Sequence, residues 1–387
     1  PARSHANFVH GYEVPLWSGP LVRWLLPRMG ALPVYHAKYA AASLRNIRRA
    51  LLDGKHPLAL APEGQVSYRS ETVPRLEQGT ARLAFWCAEE LAAAGRPERV
   101  IVLPLSVHNR YDETDLTELE AFVGGLESDC GIPRDPASPG MAPRVKTTAC
   151  CGDPGSLAYK PPPPADGGAS RRAILAARLR RLDERLLCLA EGYYGLRPAA
   201  ASGREDRRAA LLEEALRRGE AMLGLPSEPA RDPLSAEAAE NRISRVYRIR
   251  QAGWDRIYPE GGIRRGSPLE RRLENRLAGE AWYAMRHMEL VDLLHYLDGA
   301  YLDGKPSMGR LVETASSLGD LAMRLVGGDI SHRPNPLAKA ATIVVAPPLD
   351  LGARLGEYAA DKRAATARAT ADLESAYLSC IKENPHA

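Results

Sequence analysis

HPLALAPEGQVSYR, residues 56–69, is the stretch whose reading decides the fold class. Its first six residues, His56–Ala61, form a short apolar run between Gly54 and Pro62, the length and punctuation of a buried strand rather than a helix. The run delivers Pro62, Glu63 and Gly64 at its exit, and strand exits are where α/β folds build sites. Pro62 stiffens the approach, and Gly64 permits a tight turn. Upstream, YAAASLRNIRRALLD (39–53) reads as a helix ended by Gly54. Downstream, residues 77–95 read as a second helix closed by Gly95, and VIVLPLSV (100–107) as the next strand. Strands alternating with helices predict an α/β fold, a mixed sheet covered by helices on both faces.

Farther out, GALPVYHAKY (30–39) reads as a short strand leading into the basic helix. Segment 14–35 is apolar but broken by prolines and arginines, so it cannot cross a bilayer as one helix. Trp17, Leu21, Trp24, Leu25 and Met29 suit either an interfacial face or a helix packed on the sheet. The texture changes after residue 112: residues 127–170 are rich in Pro, Gly and Ser and read as linker. Helical stretches follow at 170–194, 205–224, 235–255, 267–298 and 307–327, then ATIVVAP (341–347) returns to strand character and the chain ends in a helix. The expected organisation is an α/β core over 1–111 and 340–387, interrupted by a linker and helical insertion over 112–339. Two sequential domains are the alternative. YPEGG at 258–262 repeats the Pro-Glu-Gly string but follows a helical stretch, so it reads as a loop.

The 387 residues are 45% hydrophobic and 26% charged, ordinary globular usage that excludes a collagen, a disordered tail and a polytopic membrane protein. The net charge of +4 hides an asymmetry. Residues 1–60 carry eight bases against Glu13 and Asp53, a local +6, while the remainder sums to −2. Such a field suits an anionic substrate or an anionic membrane surface, or is simply a solvated helix face around Arg45–Arg49. The six cysteines show no C-x-x-C spacing, so neither a zinc site nor a disulfide framework is expected, and a reducing compartment is. No metal site is expected from His5, His10 and Glu13, since no further ligand group is evident. Nothing in the chain resembles a Gly-rich phosphate loop or a nucleic-acid module, and no nucleic-acid partner is expected.

Four short blocks stand in order: His5 within RSHANFVHGYE, Gly30-Ala31-Leu32-Pro33-Val34, Ala61-Pro62-Glu63-Gly64-Gln65 and Val102-Leu103-Pro104. Their order and spacing resemble the glycerolipid acyltransferases, the lysophosphatidic acid acyltransferases and their relatives. That family is marked by His-x-x-x-x-Asp, Gly-x-x-Pro-Val-x-Arg, Phe-Pro-Glu-Gly-Thr and a Val-Pro strand. LEQGTARLA (76–84) is similar to the helix start after the family's third block, and residues from Thr342 onward resemble its closing strand and final helix. The resemblance covers about 1–111 and 340–387 and leaves 112–339 unexplained.

The resemblance implies transfer of a fatty acyl group from acyl-CoA or acyl-carrier protein to a lysophospholipid or glycerol phosphate, 1-acylglycerol 3-phosphate above all, in phospholipid biosynthesis. It implies no further cofactor, and it implies action at the cytoplasmic face of a membrane, peripheral or anchored by a segment outside this chain. His5 matches the family's base, which takes the hydroxyl proton as the thioester is attacked. The family's Asp, which holds the imidazole tautomer, is replaced by His10, with Glu13 the nearest carboxylate. The second block's Arg is replaced by His36, mostly uncharged at neutral pH, with Lys38 a substitute point charge. Glu63 and Gly64 would shape the acceptor site, and Arg69 and Arg75 would bind phosphate through their guanidinium forks. The alternative is a degenerate homologue that binds lipid or partners through the helical insertion with little or no catalysis.

Overall fold

The computed structural model describes residues 6–11, 19–34, 41–64, 66–133, 167–197, 199, 202–229, 235–258, 266–297, 299–304, 306–328 and 333–383. The described residues are mixed α/β and mostly helical, 66% helix, with small sheets. Its contacts divide it into two compact units, 1–110 with 341–387 and 111–340. These cuts fall within one residue of the boundaries at 111 and 340 that the change in sequence texture suggests.

The first unit begins with β1 (Asn7–Gly11), α1 (Gly19–Leu25), a 3-10 turn (Leu26–Met29), β2 (Ala31–Val34), α2 (Ala41–Asp53) and β3 (Leu58–Ala59). α3 (Gly79–Ala93), β4 (Ile101–Val102) and β5 (Leu105–Arg110) follow. After the second unit it closes with β6 (Ala340–Val345), β7 (Leu349–Asp350), α10 (Leu355–Ala360) and α11 (Lys362–Glu383). β1 lies between β2 and β3 and runs parallel to both, with Phe8 opposite Ala31 and Ala59. Gly30 makes the entry to β2 possible: its φ is +82°, and a Cβ there would stand 2.7 Å from the Asn7 side-chain oxygen.

Among the described residues the expected single sheet is three small ones: β2-β1-β3, the antiparallel pair β4-β7, and the pair β5-β6. The physical cause of one break is visible at Pro104, which ends the expected 100–107 strand after Val102 because proline has no N–H to give a ladder. Its carbonyl still accepts from Ala346 N at 3.1 Å, so the chain resumes pairing at Leu105. The core under α3 is a cluster of Ala81, Ala84, Phe85, Leu351, Tyr358 and Ala365, with Phe85 stacked on Tyr358 at 4.6 Å. The closing strand and helices are therefore integral to the N-terminal core.

The second unit holds α4 (Leu116–Asp129), α5 (Gly167–Tyr194), α6 (Arg204–Leu223), α7 (Ala236–Ile257), α8 (Pro268–Tyr296) and α9 (Met308–Leu325). Serines cap three of these helices: Ser235, Ser267 and Ser307 each accept a hydrogen bond from a first-turn backbone N–H. α4 went unread in the sequence, although Leu116, Leu119 and Val123 bury a face three and four residues apart. Leu179, Leu211, Leu216, Ile249, Met288 and Leu318 fill the bundle core.

That core also encloses ions. Glu220 is fully buried and accepts from Arg245 Nε and Nη2 at 2.8 and 2.9 Å, and from Arg248 at 2.9 Å. Burial raises the Glu220 carboxyl, but the hydrogen bonds from Arg245 and Ser227 outweigh it and the net shift is downward. A second buried polar group is aromatic. The Tyr194 hydroxyl and His287 Nδ1 lie 2.7 Å apart, with Tyr283 edge-on to the imidazole and Arg218 over the Tyr194 ring. Burial first, and Arg218 second, hold the His287 pKa down at about 4.

Candidate active site

The parallel ladder fixes where the motif residues stand. β1, β2 and β3 run side by side and point the same way; β2 carries most of the second block, β1 begins after His5, and β3 ends two residues before the third block. β1 and β2 end level, with Gly11 opposite Val34, whereas β3 ends at Ala59 opposite Phe8, and the chain goes on from there to Pro62–Gly64. His10 is the penultimate residue of β1, opposite Pro33 and half-buried. Its Nδ1 lies 2.7 Å from the Gly11 carbonyl oxygen, which accepts only from a protonated nitrogen. The neutral ring then carries its proton on Nδ1 and presents a lone pair on Nε2, the arrangement a general base requires.

Glu63 sits in a turn closed by Gly64 N donating to the Ala61 carbonyl at 3.4 Å and by Glu77 N donating to the Pro62 carbonyl at 2.7 Å. Gly64 has φ +68°, and a Cβ there would meet Glu77 Cγ at 2.8 Å, so both conformation and space call for glycine. Ser67 is buried and its hydroxyl donates to Glu63 Oε2 at 3.3 Å. Burial pushes the Glu63 carboxyl above the ordinary carboxylate range, with hydrogen bonds from Ser67 partly opposing it. Tyr377 of α11 completes this surrounding: burial raises its phenol, and the nearby Glu63 carboxylate raises it further.

The loop after Glu63 is strained and polar. Tyr68 takes φ +58°, the one non-glycine residue with positive φ among the described residues. Glu71 is buried. His108 of β5 is 1% exposed, and neither of its ring nitrogens makes a hydrogen bond of good geometry among the described residues. Burial holds its imidazole below the ordinary range, with the Ser70 backbone and the Glu71 carboxylate opposing.

Of the residues singled out in the sequence, the structure places His10 near the C-terminal end of β1 and Glu63 and Gly64 in the turn that follows β3. Arg69 is half-buried in the loop beyond and Arg75 is exposed near its end, and both have partners within the protein. His5, His36 and Lys38 lie outside the described residues, as does Glu13. Ser67, Glu71, His108 and Tyr377 were not singled out. Ser67, four residues after Glu63, carried a local signal; Tyr377 and His108 reach the loop only through tertiary packing. Among the described residues no group of three His, Cys, Asp or Glu side chains is placed to hold a metal ion.

Leu21, Trp24, Leu25 and Met29 are all exposed, Leu21 at 73% and Met29 at 60%. α1 therefore does not bury this face on the sheet. Arg28 lies over the Trp24 ring at 4.0 Å and donates to the Trp24 carbonyl at 2.7 Å, which places a cation at the rim of the apolar stripe. No helix of the described residues is long and apolar enough to cross a membrane.

Comparison of the chain with protein-family models, with curated proteins and with solved structures finds no match.

Proposed function

We propose that the chain is an O-acyltransferase that moves a fatty acyl group from acyl-CoA or acyl-carrier protein to the hydroxyl of a lysophospholipid or glycerol phosphate. The observation that supports this reading is the parallel β2-β1-β3 ladder, in which β1 carries His10, β2 carries most of the second block and β3 leads two residues later into the Pro62–Gly64 turn. The motif resemblance names the chemistry, and the half-buried, polar surroundings of Glu63 suit a group that orders an acceptor rather than a solvated surface carboxylate.

In the proposed reaction a histidine takes the acceptor hydroxyl proton as the oxygen attacks the thioester carbonyl. The C–O bond forms, the C–S bond breaks, and the departing thiolate receives the proton from the imidazolium. By the motif the base is His5, and His10, near the C-terminal end of β1, is the second imidazole assigned to the reaction. Glu63 orders the acceptor through its carboxyl and the Ser67 hydroxyl, and the arginines of the loop, Arg69 above all, meet the headgroup phosphate. The exposed stripe of α1 with Arg28 is the surface by which the protein meets the lipid bilayer, since Trp and Arg are both favoured at the headgroup boundary.

The test is thiol release from acyl-CoA in the presence of 1-acylglycerol 3-phosphate, with product confirmed by mass spectrometry. Wild-type turnover that falls on the order of 10³-fold or more in His5→Ala or His10→Ala supports the reading and identifies the base. No transfer by the wild-type chain, with transfer gained in His10→Asp, favours the degenerate homologue. Wild-type transfer untouched by His5→Ala, His10→Ala and Glu63→Gln together sinks the mechanism.

A further inference from the structure

Helix α8 outruns the bundle it belongs to. From Ala281 onward its inward face is buried, with Ala281, Ala284, Met288, Val291 and Leu294 packed in the core. The preceding three turns, Pro268–Glu280, are held in helix from their first residue by a capping box: Ser267 Oγ accepts from Glu270 N, and the Glu270 carboxylate accepts from Ser267 N at 2.6 Å. Yet along those turns Leu269, Leu273 and Leu277 are 67%, 52% and 51% exposed. Spaced four residues apart, they form one ridge spanning roughly 80° of the helix surface at ~100° per residue. The ridge continues the buried face of the same helix past the end of the bundle.

The charges beside the ridge are sorted. By the same helical geometry Glu270 and Glu274 flank it on one side, while Arg272 and Arg276 flank it on the other. Arg271 and Asn275 fall on the opposite face. When two copies of such a helix meet in parallel about a two-fold axis along the seam, the acidic flank of each faces the basic flank of the other. Glu274 then stands one step along the axis from both Arg272 and Arg276 of the second copy. An antiparallel pairing sets acid against acid and base against base. Arg276 holds Glu280 of its own helix at 3.1 Å, an exposed pair that leaves other guanidinium donors for a second carboxylate. The three acids and three bases of 268–280 cancel, so an anionic membrane has no net attraction for this segment.

We propose that the N-terminal half of α8 is a self-association surface. Two copies of the chain pair through it in parallel, Leu269, Leu273 and Leu277 against their counterparts, with Glu270 and Glu274 of each copy facing Arg272 and Arg276 of the other. Leucine ridges spaced by four interdigitate at a steep crossing, so the contact is short and the dimer is weak, with a dissociation constant in roughly the micromolar range.

Sedimentation velocity on the full chain, from about 1 to 100 μM, tests this. A concentration-dependent dimer is expected, weakened at least about tenfold by Leu273→Asp, a change at an exposed position whose fold is checked by circular dichroism. Arg272→Glu with Arg276→Glu should also weaken it, and mixing that chain with Glu274→Arg should recover a heterodimer. A short bis-maleimide should link Leu277→Cys to a second Leu277→Cys chain beyond the background of the unsubstituted protein. A chain monomeric throughout, a dimer indifferent to Leu273→Asp and to the flank reversal, or cross-linking only between Leu269→Cys and Leu277→Cys chains each overturns the proposal. Acyl-transfer activity plays no part in these outcomes, so the surface and the reaction stand or fall separately.

Discussion

Acid should loosen the helical unit through one imidazole. His287 is 4% exposed, shares a 2.7 Å hydrogen bond with the Tyr194 hydroxyl, and faces the Arg218 guanidinium from α6 and the Tyr283 ring from its own helix. Both burial and Arg218 disfavour the imidazolium, which is why its pKa falls from 6.5 to about 4. The group is depressed in the folded state, so the unfolded chain binds the extra proton. Stability is fully present above pH 6.5 and is lost as pH falls through the window from there to about 4. The whole window is worth about 3 kcal/mol, and lowering pH from 7.5 to 5.0 removes about 2 kcal/mol, roughly a thirtyfold fall in the folded-to-unfolded ratio.

His287→Phe removes the titrating group. It costs stability at pH 7.5, about 1–3 kcal/mol, because the Tyr194 hydroxyl loses its hydrogen-bond partner. That cost does not titrate in this window, since burial drives the Tyr194 phenol upward, away from it. The informative quantity is therefore the difference in pH slope between the two chains. Urea unfolding read by hydrogen exchange in peptides from α5 and α8 isolates this unit at the two pH values. Equal slopes for wild type and His287→Phe, or an imidazole resonance of His287 titrating near 6.5, would refute the reasoning.

Glu63→Gln should separate stability from activity. Burial raises the Glu63 carboxyl, so its ionisation costs stability as pH rises, and the amide removes that cost: the thermal midpoint at pH 7 should hold or rise while acyl transfer falls. Gly64→Ala should lower stability by about 1–2 kcal/mol in denaturant unfolding, from the positive φ and the displaced Glu77 side chain. Arg245→Met leaves the fully buried Glu220 with Arg248 as its remaining arginine partner and should cost about 3 kcal/mol by the same measurement. Leu21→Ala with Trp24→Ala should weaken sedimentation with anionic lipid vesicles about tenfold, and added salt should weaken what remains through loss of the Arg23 and Arg28 attraction.

The features legible in the sequence are those written in consecutive residues. The run at 56–61 announced β3 by its Gly and Pro boundaries, although only Leu58–Ala59 pair. The long helices from α5 to α9 followed from Leu and Ala at helical spacing, with serines at three of their starts. β1 escaped because NFVHG is short and mixed, and its strand character is conferred by β2 and β3 on either side. α4 escaped because Gly124 and Gly125 interrupt it and the loop-like texture begins at its end. At the site, Glu63 and Gly64 were visible as a strand exit. The residues around Glu63 were less so: Ser67, whose hydrogen bonds oppose the effect of burial, arrives by a turn of four residues, and Tyr377 by the packing of the last helix.

The N-terminal excess of positive charge is partly structural. Arg48 is committed to α3: its guanidinium pairs with Glu90 and lies 3.5 Å from the centre of the Trp86 ring, which docks α2 on the core. Arg28 is engaged with Trp24 and its carbonyl, though it remains exposed beside the α1 stripe. Arg23, Arg45, Arg49 and Lys55 are exposed, two of them on the outer face of α2 between the second and third blocks. A field of that kind acts over about 8 Å at physiological salt, so under the proposed function it would steer an anionic donor or lipid without touching it. Fixing a phosphate is a separate task, requiring a fork in contact with the headgroup, and the loop after Glu63 supplies its own candidate in Arg69. In the proposed reaction, steering and binding fall to different arginines. Neutralising Arg45 and Arg49 should slow association in low salt and leave the turnover of bound substrate unchanged, whereas Arg69→Lys should raise KM at any ionic strength.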